Sequence, residues 1–173
     1  MTTIRTARLR LVPVRLPHLE AFAAGGDAGL AALLGVSVAP DWAGADALQA
    51  IAASQAFLVS NPDSADWWMH VFVHEADNRL IGLGGYKGAP SGGRLEFGYE
   101  FAPGYRGQGL ATEAAEGMIA HAFLQPDVDH VIAHTLPQEN ASTRVLKRCG
   151  LAFDEVVQDP EDGEIWRWRR DRG

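Results

Sequence analysis

The residues whose types and spacing best suit chemistry lie in the stretch GYRGQG, at residues 104–109. An apolar run of helical period begins directly afterwards, at Leu110. The N-terminus of a helix carries unpaired N–H groups and a partial positive charge, and glycines let a ligand approach the backbone there. The sequence therefore predicts an anion-binding site, with a phosphate group as its expected occupant.

Neither of two common nucleotide-binding motifs matches this stretch. The dinucleotide fingerprint has the spacing Gly-x-Gly-x-x-Gly, whereas this chain has Gly104-x-x-Gly107-x-Gly109. The P-loop ends in Gly-Lys-Ser/Thr, but Gly109 is followed by Leu110 and Ala111. NAD and ATP are therefore poor candidates for the bound anion.

Two glutamates precede the glycines in the segment LEFGYEF. The strand period places Glu96, Gly98 and Glu100 on one face. Four residues of strand separate the backbones of the two glutamates by ~13 Å, which is too far for a tightly coupled pair of carboxylates. We expect the two to have separate roles. The alternative is that both are solvated carboxylates on the polar face of a strand.

Hydrophobic periodicity predicts the elements of the first half of the chain. The segment RLRLVPV is typical of a strand, and LPHLEAFAAGG of a short helix that Gly25 and Gly26 end. A second helix is expected from an aspartate cap near Asp46 to Asn61-Pro62. The segments WWMHVFVHEADNRLIGLGGYKG and RLEFGYEFA predict an antiparallel meander of three strands.

The second half predicts a helix from Leu110 with a broad apolar stripe, closed by Pro126. The segment HVIAHTL then indicates a strand, NASTRVLKRCG a helix that stops at Gly150, and LAFDEVVQ with EIWRWR a closing hairpin. The predicted fold class is α/β, with a mixed and largely antiparallel central sheet flanked by helices. Residues 1–173 are expected to form a single domain.

The spacing Arg106-x-x-Gly109-x-Ala111 resembles the signature Arg/Gln-x-x-Gly-x-Gly/Ala of the GNAT superfamily of N-acetyltransferases. The passages TARLRLVPV and PQENASTRVLKRCGL resemble the branch that acetylates the N-termini of ribosomal proteins. The resemblance extends from Thr6 to Trp168. It implies a GNAT-like fold and an N-acetyltransferase that moves an acetyl group from acetyl-CoA directly to a primary amine. The acceptor that the resemblance favours is the N-terminal amine of a protein or peptide.

The resemblance also implies roles for individual residues. The pantetheine arm of coenzyme A is expected between the strand LEFGYEF and the strand HVIAHTL. Glu96 corresponds to the general base of several members, and Glu100 is expected to orient the amine or share that task. The expected coenzyme A contacts are Tyr99, Phe101, Arg106, Gly107, Gln108, Gly109, Leu110, Ala111, Thr112 and Asn140.

The proton donor of the family is the point where this sequence departs from the pattern. Many members have a tyrosine where this chain has Leu146. The ribosomal-protein branch has a serine, and Ser142 occupies its position, so Ser142 is expected to be the thiol partner or acid. The alternative is that Ser142 and Asn140 only satisfy backbone amides at the start of a helix.

Two other functions stay open at this point. The first is acetylation of a small amine such as an amino acid, a polyamine or an aminoglycoside, which acidic residues in the acceptor cleft would favour when the amine is cationic. The second is a non-catalytic acyl-CoA-binding module, which Leu146 at the tyrosine position allows.

Composition limits the remaining possibilities. The chain has 173 residues, 47% of them hydrophobic, and a formal net charge of −7, which argues against a surface that binds nucleic acid. No stretch has the ~18 uninterrupted apolar residues of a membrane helix, so a cytoplasmic protein without a membrane partner is expected. The single cysteine, Cys149, is expected in the core. We expect no metal, and a monomer or homodimer.

Overall fold

The structure is a computed structural model that describes residues 2–173. Within this range the chain forms four α-helices, two short 3-10 helices and nine strands. The helices are α1 (Leu16–Leu34), α2 (Ala45–Ser60), α3 (Leu110–Phe123) and α4 (Ala141–Arg148), with 3-10 helices at Pro62–Trp67 and Pro103–Tyr105. The strands are β1 (Ile4–Arg5), β2 (Leu9–Pro13), β3 (Ser37–Val38), β4 (Met69–His74), β5 (Arg79–Tyr86), β6 (Arg94–Phe101), β7 (His130–Thr135), β8 (Ala152–Asp159) and β9 (Gly163–Asp171).

The strands form one sheet in the order β1-β2-β4-β5-β6-β7-β9-β8. Along this path every neighbouring pair is antiparallel except β6 and β7, which run parallel. The predicted fold class, a mixed and largely antiparallel sheet flanked by helices, is confirmed. The predicted meander corresponds to β4, β5 and β6, and the closing hairpin to β8 and β9.

Strands β1 and β3 were not predicted. Each has only two residues, which is too short for a recognisable period. Strand β3 pairs in parallel with Arg79 and Leu80 at the start of β5. The pairing of β6 with β5 begins only at Gly82, so β3 extends the sheet where β6 has ended.

The prediction that paired glycines end the first helix was wrong. Gly26 breaks the helix with φ 59° and ψ −144°, but a second helical segment follows it as far as Leu34. Gly35, in the left-handed conformation at φ 69°, is the residue that ends α1. The second helix has Gly44 at its N-cap, and Asp46 lies in its first turn rather than at the cap.

Helix α3 packs against β6 and contributes six buried residues to the core. Its buried residues are Leu110, Ala114, Ala115, Met118, Ile119 and Ala122, all members of the predicted apolar stripe. Cys149 is buried, as expected, and burial raises the pKa of its thiol to about 11. Among residues 2–173, no helix combines the length and apolar character required to span a bilayer.

Candidate active site

The first feature of the site is the divergence of two neighbouring strands. Strands β6 and β7 pair only from Arg94–His130 to Glu96–Ile132. On its other side, β6 stays paired with β5 as far as Phe101. Residues 97–101 therefore have a backbone edge that the described part of β7 does not pair with. An edge of this kind can bind an extended ligand much as it would bind another strand.

A cavity of about 610 Å³ lies along this edge, and we call it the donor cavity. Its walls come from the end of β6, the glycine loop, the first turn of α3 and one side of α4. The lining residues are Tyr99, Glu100, Phe101, Tyr105, Arg106, Gly107, Gly109, Leu110, Ala111, Thr112, Ala141, Ser142, Arg144, Val145 and Arg148.

The glycine loop has a backbone conformation that other residues rarely adopt. Gly107 and Gly109 have φ values of 74° and 79°. Residues with a Cβ atom avoid this left-handed region because the Cβ collides with the backbone. Gly109 is also the N-cap of α3 and has no side chain to cover the first N–H groups of the helix. The loop therefore brings a bare helix N-terminus to the donor cavity.

The polar groups around this N-terminus fit a diphosphate. The Thr112 hydroxyl is buried and has no hydrogen-bond partner within residues 2–173. Arg106, Arg144 and Arg148 line the same cavity. The Arg106 side chain donates from Nε to the Phe101 carbonyl at 3.1 Å, which holds its guanidinium against the end of β6. Cations, helix N–H groups and an unpaired hydroxyl together match the acceptor oxygens of coenzyme A.

A second cavity, of about 1000 Å³, adjoins the first, and we call it the acceptor cavity. It is built by α2, β4, β5, β6, β7, α4 and the tip of the β8–β9 hairpin. The lining residues are Asp46, Ala47, Gln49, Ala50, Ala53, Trp68, Met69, Leu83, Gly84, Gly85, Tyr86, Lys87, Phe97, Gly98, Tyr99, Glu100, Ala133, His134, Thr135, Ser142, Leu146, Glu161 and Asp162. Its carboxylates give it an acidic character that suits a protonated amine.

Within the described chain, three residues line both cavities, namely Tyr99, Glu100 and Ser142. They lie where the two cavities meet, and we call this place the passage. Glu100 accepts a hydrogen bond from the Gly44 amide at 3.0 Å, which ties the start of α2 to β6. Within residues 2–173, Glu100 lines the passage and Glu96 does not.

Glu96 belongs to a separate group of charged residues. Its Oε1 lies 2.8 Å from His134 Nδ1 and 3.4 Å from Lys87 Nζ. Within residues 2–173, Glu96 lines neither cavity, whereas His134 and Lys87 line the acceptor cavity. Because a carboxylate accepts, this contact requires His134 to donate from Nδ1, and in the neutral ring with that tautomer Nε2 is an acceptor. Glu96 is therefore connected to the acceptor cavity through its contact with the His134 ring.

Tyr99 and Ser142 form a pair of hydroxyls at the passage. Burial raises the pKa of Tyr99 to about 12, so its phenol stays protonated near neutral pH. The Ser142 hydroxyl lies beside that of Tyr99. The Tyr99 hydroxyl is nevertheless inaccessible to solvent and without a well-formed hydrogen bond among the described residues. Leu146, at the tyrosine position of many relatives, is buried and has no proton to give.

Other expected contacts lie just outside the cavities. Within residues 2–173, Gln108 and Asn140 line neither of them. Gln108 Nε2 donates to the Gly104 carbonyl at 3.2 Å. The Asn140 side chain accepts from the Thr143 amide at 3.0 Å and so caps α4. The remaining predicted coenzyme A contacts all line the donor cavity.

Sequence reasoning did not select His134, Lys87, the Tyr99 hydroxyl or the acidic residues of the hairpin tip. His134 lies two residues beyond the last β6–β7 pair, so its meeting with Glu96 depends on a register that periodicity does not give. Asp159 Oδ1 accepts from the amides of Glu161 and Asp162 at 2.8 and 2.9 Å, which fixes the hairpin tip. The sequence predicts a closing hairpin here, but it does not predict that the tip of the hairpin lies at the cavity.

Comparison with known proteins identifies the class to which this fold and site belong. Residues 8–152 match the family model described as an acetyltransferase (GNAT) domain. The matched region covers most of the chain, and the chain therefore belongs to the GNAT acetyltransferase family. Its members transfer an acetyl group from acetyl-CoA, and the chain is an acetyl-CoA-dependent N-acetyltransferase.

Individual relatives cover almost the whole chain. An FsC–acetyl coenzyme A–N(2)-transacetylase of Aspergillus fumigatus is 28% identical, over 94% of this chain and 74% of its own length. RimL, a ribosomal alpha-N-protein acetyltransferase solved with coenzyme A, superposes with a TM-score of 0.68 at 15% identity over 98% of both chains. A ribosomal-protein alanine acetyltransferase from Vibrio fischeri gives a TM-score of 0.70 at 13% identity, over 99% of this chain and 97% of its own. The two structural likenesses concern the fold.

Proposed function

We propose that this chain transfers an acetyl group from acetyl-CoA directly to the N-terminal amine of a protein or peptide. The observation that carries the proposal is the meeting of two cavities at Tyr99, Glu100 and Ser142. One cavity has the helix N-terminus and cations that a diphosphate needs, and the other has carboxylates that attract an amine. Two substrates can thus meet without a covalent enzyme intermediate.

The size of the acceptor cavity supports a peptide acceptor. Its volume of about 1000 Å³ exceeds what a small amine fills, and its walls extend from α2 to the β8–β9 tip. The structural likeness to two ribosomal-protein acetyltransferases agrees with this choice. A small-molecule amine is the second candidate, because the relative that aligns with 94% of the chain is named as an N(2)-transacetylase.

On the donor side, the residues of this chain bind and orient. The amides of the glycine loop, with Arg106 and Thr112, hold the diphosphate of coenzyme A at the α3 N-terminus. The backbone edge of residues 97–101 holds the pantetheine arm. Bound acetyl-CoA supplies a thioester whose carbonyl carbon accepts the amine nitrogen.

On the acceptor side, His134 takes the proton that the amine must lose. Glu96 accepts the hydrogen bond from His134 Nδ1, so it fixes the ring and stabilises the imidazolium that forms. Because Glu96 is also paired with Lys87, its carboxylate is better suited to this positioning role than to direct proton transfer. Glu100, at the passage, orients the amine.

On the thiol side, Ser142 donates a hydrogen bond to the departing sulfur. Tyr99, whose hydroxyl lies beside it and stays protonated, supplies a second donor at the passage. The two hydroxyls take the place of the single tyrosine that many relatives have at the position of Leu146.

The experiment that tests the proposal compares acceptors of matched sequence. A basic peptide with a free N-terminus, the same peptide with a formylated N-terminus, and a panel of amino acids and polyamines are incubated with acetyl-CoA. We expect mass spectrometry to find one acetyl group on the N-terminus of the free peptide alone. Acetylation of the small amines alone would overturn the acceptor class.

Binding without turnover would support a non-catalytic module. Acetyl-CoA at a hundredfold its Kd adds ~2.7 kcal/mol to the free energy of unfolding, which a thermal scan detects. We expect this stabilisation with acetyl-CoA and not with NAD or ATP. A stabilised protein that acetylates none of the acceptors, and whose Glu96→Gln variant behaves identically, would contradict catalysis.

A further inference from the structure

The chain segment before β2 contacts the first turn of α3 through one carboxylate. Glu113 Oε1 accepts from the Thr6 hydroxyl at 2.5 Å and from the Arg8 amide at 2.6 Å. Glu113 Oε2 accepts from Arg8 Nε at 2.7 Å. These contacts join residues more than a hundred positions apart, and we call Thr6, Arg8 and Glu113 the N-terminal clasp.

The environment of the clasp makes it stronger than an ordinary surface ion pair. The Glu113 side chain is only 16% exposed. Its partial burial raises its pKa, but the hydrogen bonds from Thr6 and Arg8 outweigh burial, and the pKa lies below its ordinary value. Charge-assisted hydrogen bonds are the strong members of their class, and this carboxylate accepts three of them from two residues. The carboxylate is thus held ionised and in a fixed position.

Arg8 extends the clasp to the glycine loop. Its Nη1 donates to the Gln108 carbonyl at 3.0 Å. In a trans peptide the C=O and the next N–H point in opposite directions, and all described peptide bonds are trans. A hydrogen bond that fixes the Gln108 carbonyl therefore also fixes the Gly109 N–H. Gly109 lines the donor cavity, so this contact controls the direction of an amide at the donor site.

Close packing keeps the clasp in register. A Cβ atom at Gly117, one turn further along α3, would lie 2.8 Å from the Thr6 methyl group and 3.5 Å from that of Ile4. The helix therefore approaches the β1–β2 turn as closely as a glycine permits. Ile4, Leu9 and Leu11 anchor the same segment in the core. The backbone that carries Arg8 is therefore held in place by buried neighbours.

We propose that the N-terminal clasp positions the Gly107–Gly109 turn for the diphosphate of the acyl donor. This inference rests on the proposed function, since it concerns the same donor cavity. It gives the opening segment, TARLRL, a role in donor binding although none of its residues lines that cavity within the described chain.

Two variants test the clasp in the full chain. Arg8→Lys keeps the charge but loses the planar fork that reaches Glu113 and Gln108 together. Glu113→Gln keeps the shape and removes the charge. The control is Arg5→Gln, on the same segment as Arg8. The Arg5 side chain is 67% exposed, and the bond of 2.8 Å that this variant loses is to Glu75 and not to α3.

The measurements are acetyl-CoA affinity by calorimetry and hydrogen exchange of the Gly107 and Gly109 amides without ligand. Losing a charged hydrogen bond is expected to weaken acetyl-CoA binding about tenfold in both clasp variants and to speed exchange at the two glycines. The KM for acetyl-CoA is expected to rise while kcat at saturating donor stays constant. Arg5→Gln is expected to match the wild type throughout.

The outcomes separate the clasp from the proposed function. Wild-type protein that does not bind acetyl-CoA would overturn the proposed function, whereas glycine exchange still tests the clasp. Wild-type affinity in folded Arg8→Lys protein, with unchanged exchange at the two glycines, would overturn the clasp alone. A lower melting temperature with unchanged affinity would do the same, because it would show a merely structural contact. If Glu113→Gln does not fold, Arg8→Lys decides.

Discussion

The donor and acceptor cavities differ in how the chain builds them. Seven of the fifteen described residues that line the donor cavity lie in one continuous run, from Tyr105 to Thr112, in the glycine loop and the first turn of α3. The acceptor cavity draws its walls from seven separate elements, from α2 to the tip of the β8–β9 hairpin. A locally encoded site keeps its chemistry when the rest of the sequence changes. A distributed site changes with each element that contributes to it.

The largest expected effect is a loss of kcat when the Glu96–His134 pair on the acceptor side is changed. Glu96→Gln and His134→Gln are each expected to lower kcat by about 10²- to 10⁴-fold, the usual contribution of general base catalysis. The double variant is expected to lose no more than the single ones, because the pair acts as a unit. Steady-state kinetics checks this, with Arg94→Gln as the control, because Arg94 is exposed at the start of β6 and lines neither cavity within residues 2–173. Additive losses, or weaker acetyl-CoA binding, would contradict the assignment.

Low pH is expected to lower the free energy of unfolding through the buried His70. Burial lowers the pKa of His70 from 6.5 to about 4. The unfolded chain takes up this proton at higher pH than the folded chain does. The contribution of His70 to the free energy of unfolding is therefore fully present above pH 6.5. It is lost as pH falls from 6.5 toward 4, by roughly 3 kcal/mol.

Urea unfolding at neutral pH and near pH 4 measures this loss, with His70→Gln expected to show a flatter dependence. Trp68, whose carbonyl lies 3.1 Å from His70 Nδ1, lines the acceptor cavity. Equal slopes for the two proteins would show that His70 does not titrate differently in the folded and unfolded chains.

A matched pair of glycines tests the donor side. Gly107 and Gly35 have φ values of 74° and 69°, and an added Cβ meets no atom within 4 Å at either. Replacing either by Ala costs about 1–2 kcal/mol of backbone strain. Only Gly107→Ala is expected to weaken acetyl-CoA binding, by about tenfold. Calorimetry measures the two affinities for acetyl-CoA. Equal affinities in the two variants would show that the conformation of the glycine loop does not contribute to donor binding.

The passage between the cavities is expected to respond to removal of single hydroxyls. Tyr99→Phe and Ser142→Ala should each lower kcat about tenfold, the value of one hydrogen bond, with little further loss together. Tyr99→Phe should not lower the free energy of unfolding, because the hydroxyl it removes is buried and unpaired within the described chain. Tyr105→Phe, whose hydroxyl donates to Asp77 at 2.6 Å, is the control. Fully additive losses would show that the two hydroxyls act independently, which would contradict their joint role at the passage.

The hairpin tip is expected to give the smallest effect. Glu161→Gln and Asp162→Asn remove charge from the acceptor wall, which should raise the KM of a cationic acceptor about twofold to fivefold at low salt. High salt should abolish the difference, and the KM for acetyl-CoA should not change. Glu164→Gln, exposed on the same hairpin but outside the described cavity lining, is the control. An equal rise for Glu164→Gln would point to net charge rather than to the tip.

The difference between a locally encoded site and a distributed site also explains which features the sequence could predict. The meander, α3 and the glycine loop depend on local period and backbone preference, and all were predicted. The first helix was predicted too short, because the segment after Gly26 resumes helical geometry through packing that periodicity does not report. The Glu96–His134 contact requires the parallel register of β6 and β7, and the hairpin tip requires the fold of the whole sheet.

The three residues shared by the cavities have a consequence for how such a protein diverges. Substitutions on α2 or at the hairpin tip meet only the acceptor, and substitutions in the glycine loop meet only the donor. Selection can therefore change the acceptor by many small and independent steps. Tyr99, Glu100 and Ser142 line both cavities, so one substitution there alters the surroundings of both substrates at once. We therefore expect these three positions to have the least freedom to vary across a lineage.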